Sequence, residues 1–437
     1  MFQLKKIKMN ETLTLSTKDQ FLAHFERLDF SFDADFSKEK RKKAKSFIDE
    51  MEFPTSKTEY WKYTRINKII KGNYQVNFPE NEIEIDLAVP SKNCIVLVNG
   101  YYNEALSWFD KQVGVTFSSL SQAKETEPIL KDKFDSIARN EHEIFTAINT
   151  AYHQDGAFLH VEKNVKVEES FYVVNIVDDS NVLAHPRNFF YLESGSEANV
   201  VLKTISMSTS SSFTNMVSEI FVDANAFLEL NKIQDEQEGD YQIANEQVRQ
   251  LDDSRFKINT FTLNGALVRN NLNIELLGKN IETWLNGLYP LKGKQHVDNH
   301  TYVLHQEPNC VSHELYKGIL DDQSTGVFNG KVFVYREAQK TNAYQSNANM
   351  VLTDNASAYS KPELEIYADD VKCSHGSVTG QLDEEAMFYL RSRGMSEKSS
   401  RAVLLNAFAS DVVEHIGVEA VKTEIEAFID RNYQSIK

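Results

Sequence analysis

At 437 residues the chain is too long for one ordinary core, so two or three structural units are expected. Its composition, 41% hydrophobic and 25% charged, is that of a globular protein, and no apolar run is long enough to span a bilayer, which argues against a membrane partner. A formal net charge of −17 repels a phosphate backbone and makes nucleic acid a poor partner.

The N-terminus, MFQLKKIKMNETLTL, has lysines but no uninterrupted apolar core or small-residue cleavage site. No secretory signal is therefore expected, and Met9 is an alternative start. Cys94, Cys310 and Cys373 are odd in number, far apart and without a CxxC pattern. That disfavours a disulfide framework and points to a reducing, cytoplasmic location.

Residues 1–155 read as a mostly helical region with a short β element. KDQFLAHFERL (18–28) and EKRKKAKSFIDEM (39–51) space apolar residues at helical intervals. The basic run SKEKRKKAKSF (37–47) then reads as a solvated helix face. FPTSKTEYWKYTRINKIIKG (53–72) groups Tyr60, Trp61 and Tyr63, NCIVLVNG (93–100) is a short strand ending on Asn-Gly, and EHEIFTAINTAYHQDG (141–156) is a helix closed by Asp-Gly.

The texture changes over residues 156–381. FLHVEKNVKV, SFYVVNIVDD, NFFYLES, ANVVLKTISM and their successors are short, β-branched or aromatic, and punctuated by Asn, Asp, Gly or Ser. Helical periodicity is nearly absent, apart from a short helix expected near ANEQVRQL (244–251). No strict repeat period or propeller signature is visible, and Asn270, Asn271, Asn273, Asn329, Asn342, Asn347 and Asn349, read as turn residues, favour a solenoid. Residues 382–437 form a C-terminal helical domain. Its helices start at the N-caps Asp383 and Ser396, with Gly394 and Gly417 as stops, and VEAVKTEIEAFIDRNYQSI supplies the third.

Two constellations could carry chemistry. KGKQHVDNHTYVLHQEPNCVSHELYKG (292–318) holds His296, Asp298, His300, His305, Cys310 and His313. On a strand, His296, Asp298 and His300 share a face; on a helix, His296 and His300 pair. Either geometry suits a divalent metal, and the competing reading is a polar sheet surface. The second constellation is DDVKCSHGSVTG (369–380), which puts Cys373 and His375 on one face of a strand. No HExxH, glycine-rich phosphate loop or GxSxG elbow accompanies them.

The stretch HVDNHTYVLHQEPNCVSHELYKGILDDQSTGVFNGKVFVYREAQKTNAYQSNANMVL, followed by KPELEIYADDVKCSHGSVTGQLDEEAMFYLRSRG, resembles the SufB/SufD family of iron–sulfur cluster assembly proteins. EYWKYT (59–64) and FTAINTAYHQDG (145–156) agree with it. KCSHG resembles the SufD branch. The cysteine that SufB chains are proposed to use as sulfur acceptor is missing, since Val311 to Lys372 contains none.

The resemblance implies a mainly β fold: a right-handed parallel β-helix core flanked by a mostly helical N-terminal region and a C-terminal helical domain. It implies a scaffold subunit, not an enzyme, in a complex with SufB and two copies of the ATPase SufC, pairing with SufB through strands at the C-terminal end of the β-helix and docking SufC on its terminal helices. Phe388, Tyr389, Leu390, Arg391, Arg393 and Gly394 are then the expected SufC contact. His375 is the expected ligand of a transient iron–sulfur cluster shared with SufB, with no cofactor tightly bound to the isolated chain. Cys373 is either a second ligand or a structural thiol. A homodimer in isolation is compatible with the same edge. The rival readings are a metal-dependent enzyme using His296, His300 and His305, and a self-associating structural protein.

Overall fold

The computed structural model describes residues 16–434 except 27, 77–82, 84, 86, 179, 180, 208 and 210. Its core is a parallel β-solenoid in which successive strands fall alternately into two sheets. The first sheet includes Glu197–Ser206, Phe227–Asp235, Arg255–Thr262, Glu282–Leu291, Val311–Leu320, Asn342–Val351 and Lys372–Gly380. The second includes Phe213–Val222, Tyr241–Gln250, Leu267–Leu276, His296–His305, Thr325–Val334 and Ser357–Ile366. In-register pairs such as Tyr241 with Leu267, or Thr325 with Ser357, make one coil between 26 and 32 residues. That variation hides the period from a search for strict repeats.

Where the chain enters the first sheet, five successive coils turn through a residue in the left-handed region: Asn225, Asp253, Asn280, Asn309 and Lys340 all have φ between 57° and 65°. Asn and Asp tolerate that conformation better than other non-glycine residues. Each of these amides reaches the next coil, as from Asn225 to the Asp252 carbonyl at 2.9 Å and from Asp253 to the Lys279 carbonyl at 2.8 Å. These are not the asparagines expected at turns. Asn270, Asn271 and Asn273 lie inside the strand Leu267–Leu276, Asn329 inside Thr325–Val334, and Asn342, Asn347 and Asn349 inside Asn342–Val351. The expected helix at 244–251 is likewise absent, because the segment belongs to the strand Tyr241–Gln250. Its Ala, Glu, Gln and Arg favour a helix locally, but a hydrogen-bonded strand on each side outweighs that preference.

Inward-facing apolar residues form one continuous core cluster. Leu228, Leu230, Phe256, Ile258 and Leu285 from the first sheet meet Val248, Leu272, Ile274 and Val303 from the second. The outer faces are covered by helices. Ala409, Val412, Ile425 and Ile429, from Glu397–Val413 and Glu419–Gln434, pack on Ile233, Phe261 and Leu288 of the first sheet. Phe21, Ile48, Phe145 and Ile148 cover Phe213, Ile243 and Leu267 of the second.

The remaining helices fall close to where their spacing placed them: Thr17–Leu22, Asp35–Glu50, Ile144–Tyr152 and Glu384–Ser392. Asp383 and Ser396 cap as expected, accepting from Ala386 N at 3.1 Å and Ser399 N at 3.0 Å. The basic run is only partly solvated. Arg41 is buried, 2.7 Å from Asp33, and donates to the carbonyls of Ala151 and His153.

The two ends of the solenoid differ. At the N-terminal end, Asn93–Val98 joins the first sheet and pairs antiparallel with short strands, while Val115–Ser119 lies antiparallel to Ala157–Val161 and closes the second. At the other end, Lys372–Gly380 and Ser357–Ile366 each pair on one side only.

Glycines set the packing near that end. A Cβ on Gly318 would lie 2.3 Å from a Tyr289 ring carbon and 2.5 Å from Asn349 Oδ1. Gly318→Ala is therefore expected to destabilise the chain by about 1–3 kcal/mol through overpacking. Equilibrium urea denaturation measures this, and an unchanged midpoint contradicts the packing described.

Candidate functional site at the open end of the solenoid

The terminal strand Lys372–Gly380 is exposed along nearly its whole length. Cys373 and His375 share its inward face, in register with the buried Ala343 and Gln345 of the preceding coil. Cys373 is half-buried and packs against the edge of the core, and that burial raises its thiol pKa. His375 is exposed and borders a groove with Trp284, His313, Tyr344 and His415. The His313 and Tyr344 rings stack in that groove, 5.3 Å apart at 15°.

Behind His375 its own interior row turns polar. The in-register row Leu230, Ile258, Leu285 continues as Glu314, Gln345 and His375. Gln345 Nε2 donates to Glu314 Oε2 at 2.6 Å, and burial pushes the Glu314 carboxyl up to about 7. The amide of Gln345 lies directly over Gly330, where a Cβ would meet it at 2.1 Å. In the next rows Tyr289 donates to Asn349 Oδ1 at 2.8 Å, and Asn347 donates to the Tyr289 hydroxyl at 3.0 Å. Residues of the blocks LYKGIL, GVFNGK and NAYQSN thus meet inside the solenoid. Sequence reasoning did not single out Glu314, Gln345 or Tyr289. The available signal was Glu314 and Gln345 at positions where earlier coils carry Leu230, Ile258 and Leu285.

The histidine-rich segment does not converge. His296, Asp298 and His300 do share the outer face of a strand, but the Asp298 carboxylate is already committed. Arg269 Nη1 lies 2.5 Å from it, His300 Nε2 2.9 Å, and the Thr64 hydroxyl also bonds to it. Arg269 holds Asp298 far below the usual carboxylate range despite its burial. The Arg269 guanidinium also sits 3.7 Å over the Trp61 ring, and Thr64 reaches His296 Nε2 at 2.9 Å. EYWKYT is thereby clasped to the solenoid. His305 is buried against Ser312 at 2.9 Å. Cys310 is buried and bonds the Gly278 carbonyl, with its thiol pushed up to about 11, and burial pushes Cys94 up to about 12. Among the described residues, no group of three or more His, Cys, Asp or Glu is arranged to hold a metal.

The helix Glu384–Ser392 buries none of its side chains. Phe388 is 76% exposed and Tyr389 58%, an unusual display for large apolar groups. Leu390 is half-buried beside them, and Arg391, Arg393 and Gly394 are exposed. No helix among the described residues is long and apolar enough to cross a membrane.

A two-sheet parallel solenoid with an uncapped end, terminal helices and this set of sequence blocks defines a class of β-solenoid protein. Residues 175–408 match the family model for the SUF system FeS cluster assembly SufBD core domain, and residues 16–173 match the SufBD protein N-terminal region. The chain belongs to the SufB/SufD family of iron–sulfur cluster assembly proteins. Within it, the chain is similar to the iron–sulfur cluster assembly protein SufD of Escherichia coli, 30% identical over 86% of this chain and 88% of that protein. It is 28% identical to a SufBD family protein of Synechocystis over 88% of both chains, and 24% identical to SufD of Bacillus subtilis over 74% of both.

Glu314 yields a pH test. Its folded pKa lies above the unfolded carboxylate value of about 4.3, so from there to about 7 the folded chain holds a proton that the unfolded chain has lost. Its contribution to stability therefore falls as pH rises through that window. Glu314→Gln is expected to flatten the stability profile between about pH 5 and 8, gaining relative to wild type at the alkaline end. Denaturation at several pH values measures this, and parallel profiles contradict the burial described.

Proposed function

We propose that this chain is the scaffold subunit of a SufBCD-type complex, pairing its open solenoid end with a SufB-type chain and presenting His375 to the nascent iron–sulfur cluster. The observation that carries this reading is the terminal strand Lys372–Gly380, whose outer edge is unpaired and whose inward face carries Cys373 and His375. Natural proteins usually protect a sheet edge with proline, charge or a cover. The other terminal strand, Ser357–Ile366, follows that rule with Pro362 flanked by Lys361, Glu363 and Glu365. KCSHGSVTG has only the charge of Lys372 at its start. An unguarded edge of this kind suits strand addition by a partner.

The cluster is cargo rather than a resident cofactor. A neutral imidazole is a weaker, less charged iron ligand than thiolate, which favours release to a client. Cys373 is the secondary ligand candidate, because its thiol is partly withdrawn into the core edge and less readily ionised. Phe388, Tyr389 and Leu390, with Arg391, Arg393 and Gly394, form the docking surface for a SufC-type ATPase, in which ATP hydrolysis resides. On this reading the chain has no turnover of its own and acts in the cytoplasm.

The test is co-expression with SufB- and SufC-type partners followed by anaerobic reconstitution with iron and sulfide. His375→Ala is expected to leave assembly intact and to lower cluster yield, read from visible absorbance. Equal yield in both complexes removes His375 from the mechanism.

A further inference from the structure

On the outer face of the second sheet, away from the open end, two in-register rows cross four neighbouring strands. One is Asn245, Asn271, His300 and Asn329; the other is Gln247, Asn273, Tyr302 and Lys331. They line a cleft of about 400 Å3, together with Tyr60, Trp61 and Arg139. A cleft of that size suits a small molecule.

Buried amides in folded proteins are nearly always paired. One donor here is not. Asn245 is 1% exposed. Its side-chain carbonyl accepts from Asn271 Nδ2 at 2.8 Å, which fixes the amide's orientation and leaves Asn245 Nδ2 with no acceptor. Among the described residues, Gln247, Asn273 and Asn329 make no side-chain hydrogen bond either, and their amide groups are open to solvent.

Three cations, Arg139, Arg269 and Lys331, line the cleft. Arg139 and Lys331 both line the cleft, each with one carboxylate: Glu275 at 3.5 Å from Arg139, and Glu365 at 2.8 Å from Lys331. Glu275 is shared with Arg249 at 2.9 Å. Arg269 adds a further positive charge, ion-paired to Asp298. Glu143 also lines the cleft, accepting from Phe145 N, and burial raises its pKa, which favours the neutral acid. Unpaired amide donors beside cations, on a chain of net charge −17, complement an oxyanion.

We infer that this cleft binds a small organic oxyanion, either a carboxylate or a phosphate ester, with its charge between Arg139 and Lys331 and its polar body on the amides of Gln247 and Asn273. The site is separate from the His375 edge, so its test does not depend on cluster assembly.

The full chain is titrated calorimetrically with citrate and with glycerol phosphate, against sodium chloride at matched ionic strength. Saturable binding of one or both, beyond the chloride control, is expected. A response to citrate alone assigns a carboxylate, and a response to glycerol phosphate alone assigns a phosphate ester. Lys331→Met and Asn273→Leu are each expected to weaken binding about tenfold or more, the effect of losing a hydrogen bond to a charged group. No response to either probe in the wild type overturns the inference. So does an unchanged affinity in both variants.

Discussion

The main-chain ladder of the parallel solenoid is the constraint on which the rest depends. Each ten-residue strand gives its N–H and C=O groups to the coils on either side, so only the first and last coils are left with unpaired groups. The N-terminal region meets this demand at one end, with a strand that extends the first sheet and an antiparallel strand that closes the second. The C-terminal helices do not meet it at the other. They lie on the outer face of the first sheet, where Val412, Ile425 and Ile429 pack, and leave the terminal strands uncovered.

One interior row changes character toward the same end. Leu230, Ile258 and Leu285 give way to Glu314 and Gln345, with Gly330 making room for the Gln345 amide. An apolar interior would be the more stable filling for a solenoid whose only task was to stand, because buried polar groups contribute little net free energy and are costly when unpaired. The Glu314–Gln345 pair lies directly behind His375, one and two coils in from the open end. That placement connects the family's sequence blocks, which are far apart in the chain, to one location in space.

Much of this was legible in the sequence. The terminal helices declared themselves through Asp383 and Ser396, because a cap is a local interaction. Short β-branched segments declared strands, but their pairing was not local: ANEQVRQL looks helical until strands on both sides are present. The asparagines misread as turns show the same limit. Several strand asparagines hydrogen-bond to a counterpart one coil away, as Asn259 does with Asn231 at 2.8 Å and Asn270 with Asn299 at 2.9 Å, and no short window contains both partners. Cys373 and His375 were found because their spacing places them on one strand face. Arg269, Trp61 and Thr64, which commit Asp298 and hold the histidine-rich segment in a clasp, come from positions about two hundred residues apart, so spacing alone suggested a metal site that the fold does not build.

The central claim is that the uncovered edge is a docking surface, and hydrogen–deuterium exchange tests it most directly. The amides of Lys372–Gly380 are followed in the isolated chain and in the presence of a SufB-type partner. The account predicts rapid exchange of the outward-pointing amides alone and strong protection in the complex, with the interior strand Val311–Leu320 unchanged. If the partner binds while the terminal strand exchanges as fast as before, pairing occurs elsewhere and the edge is not the site of assembly.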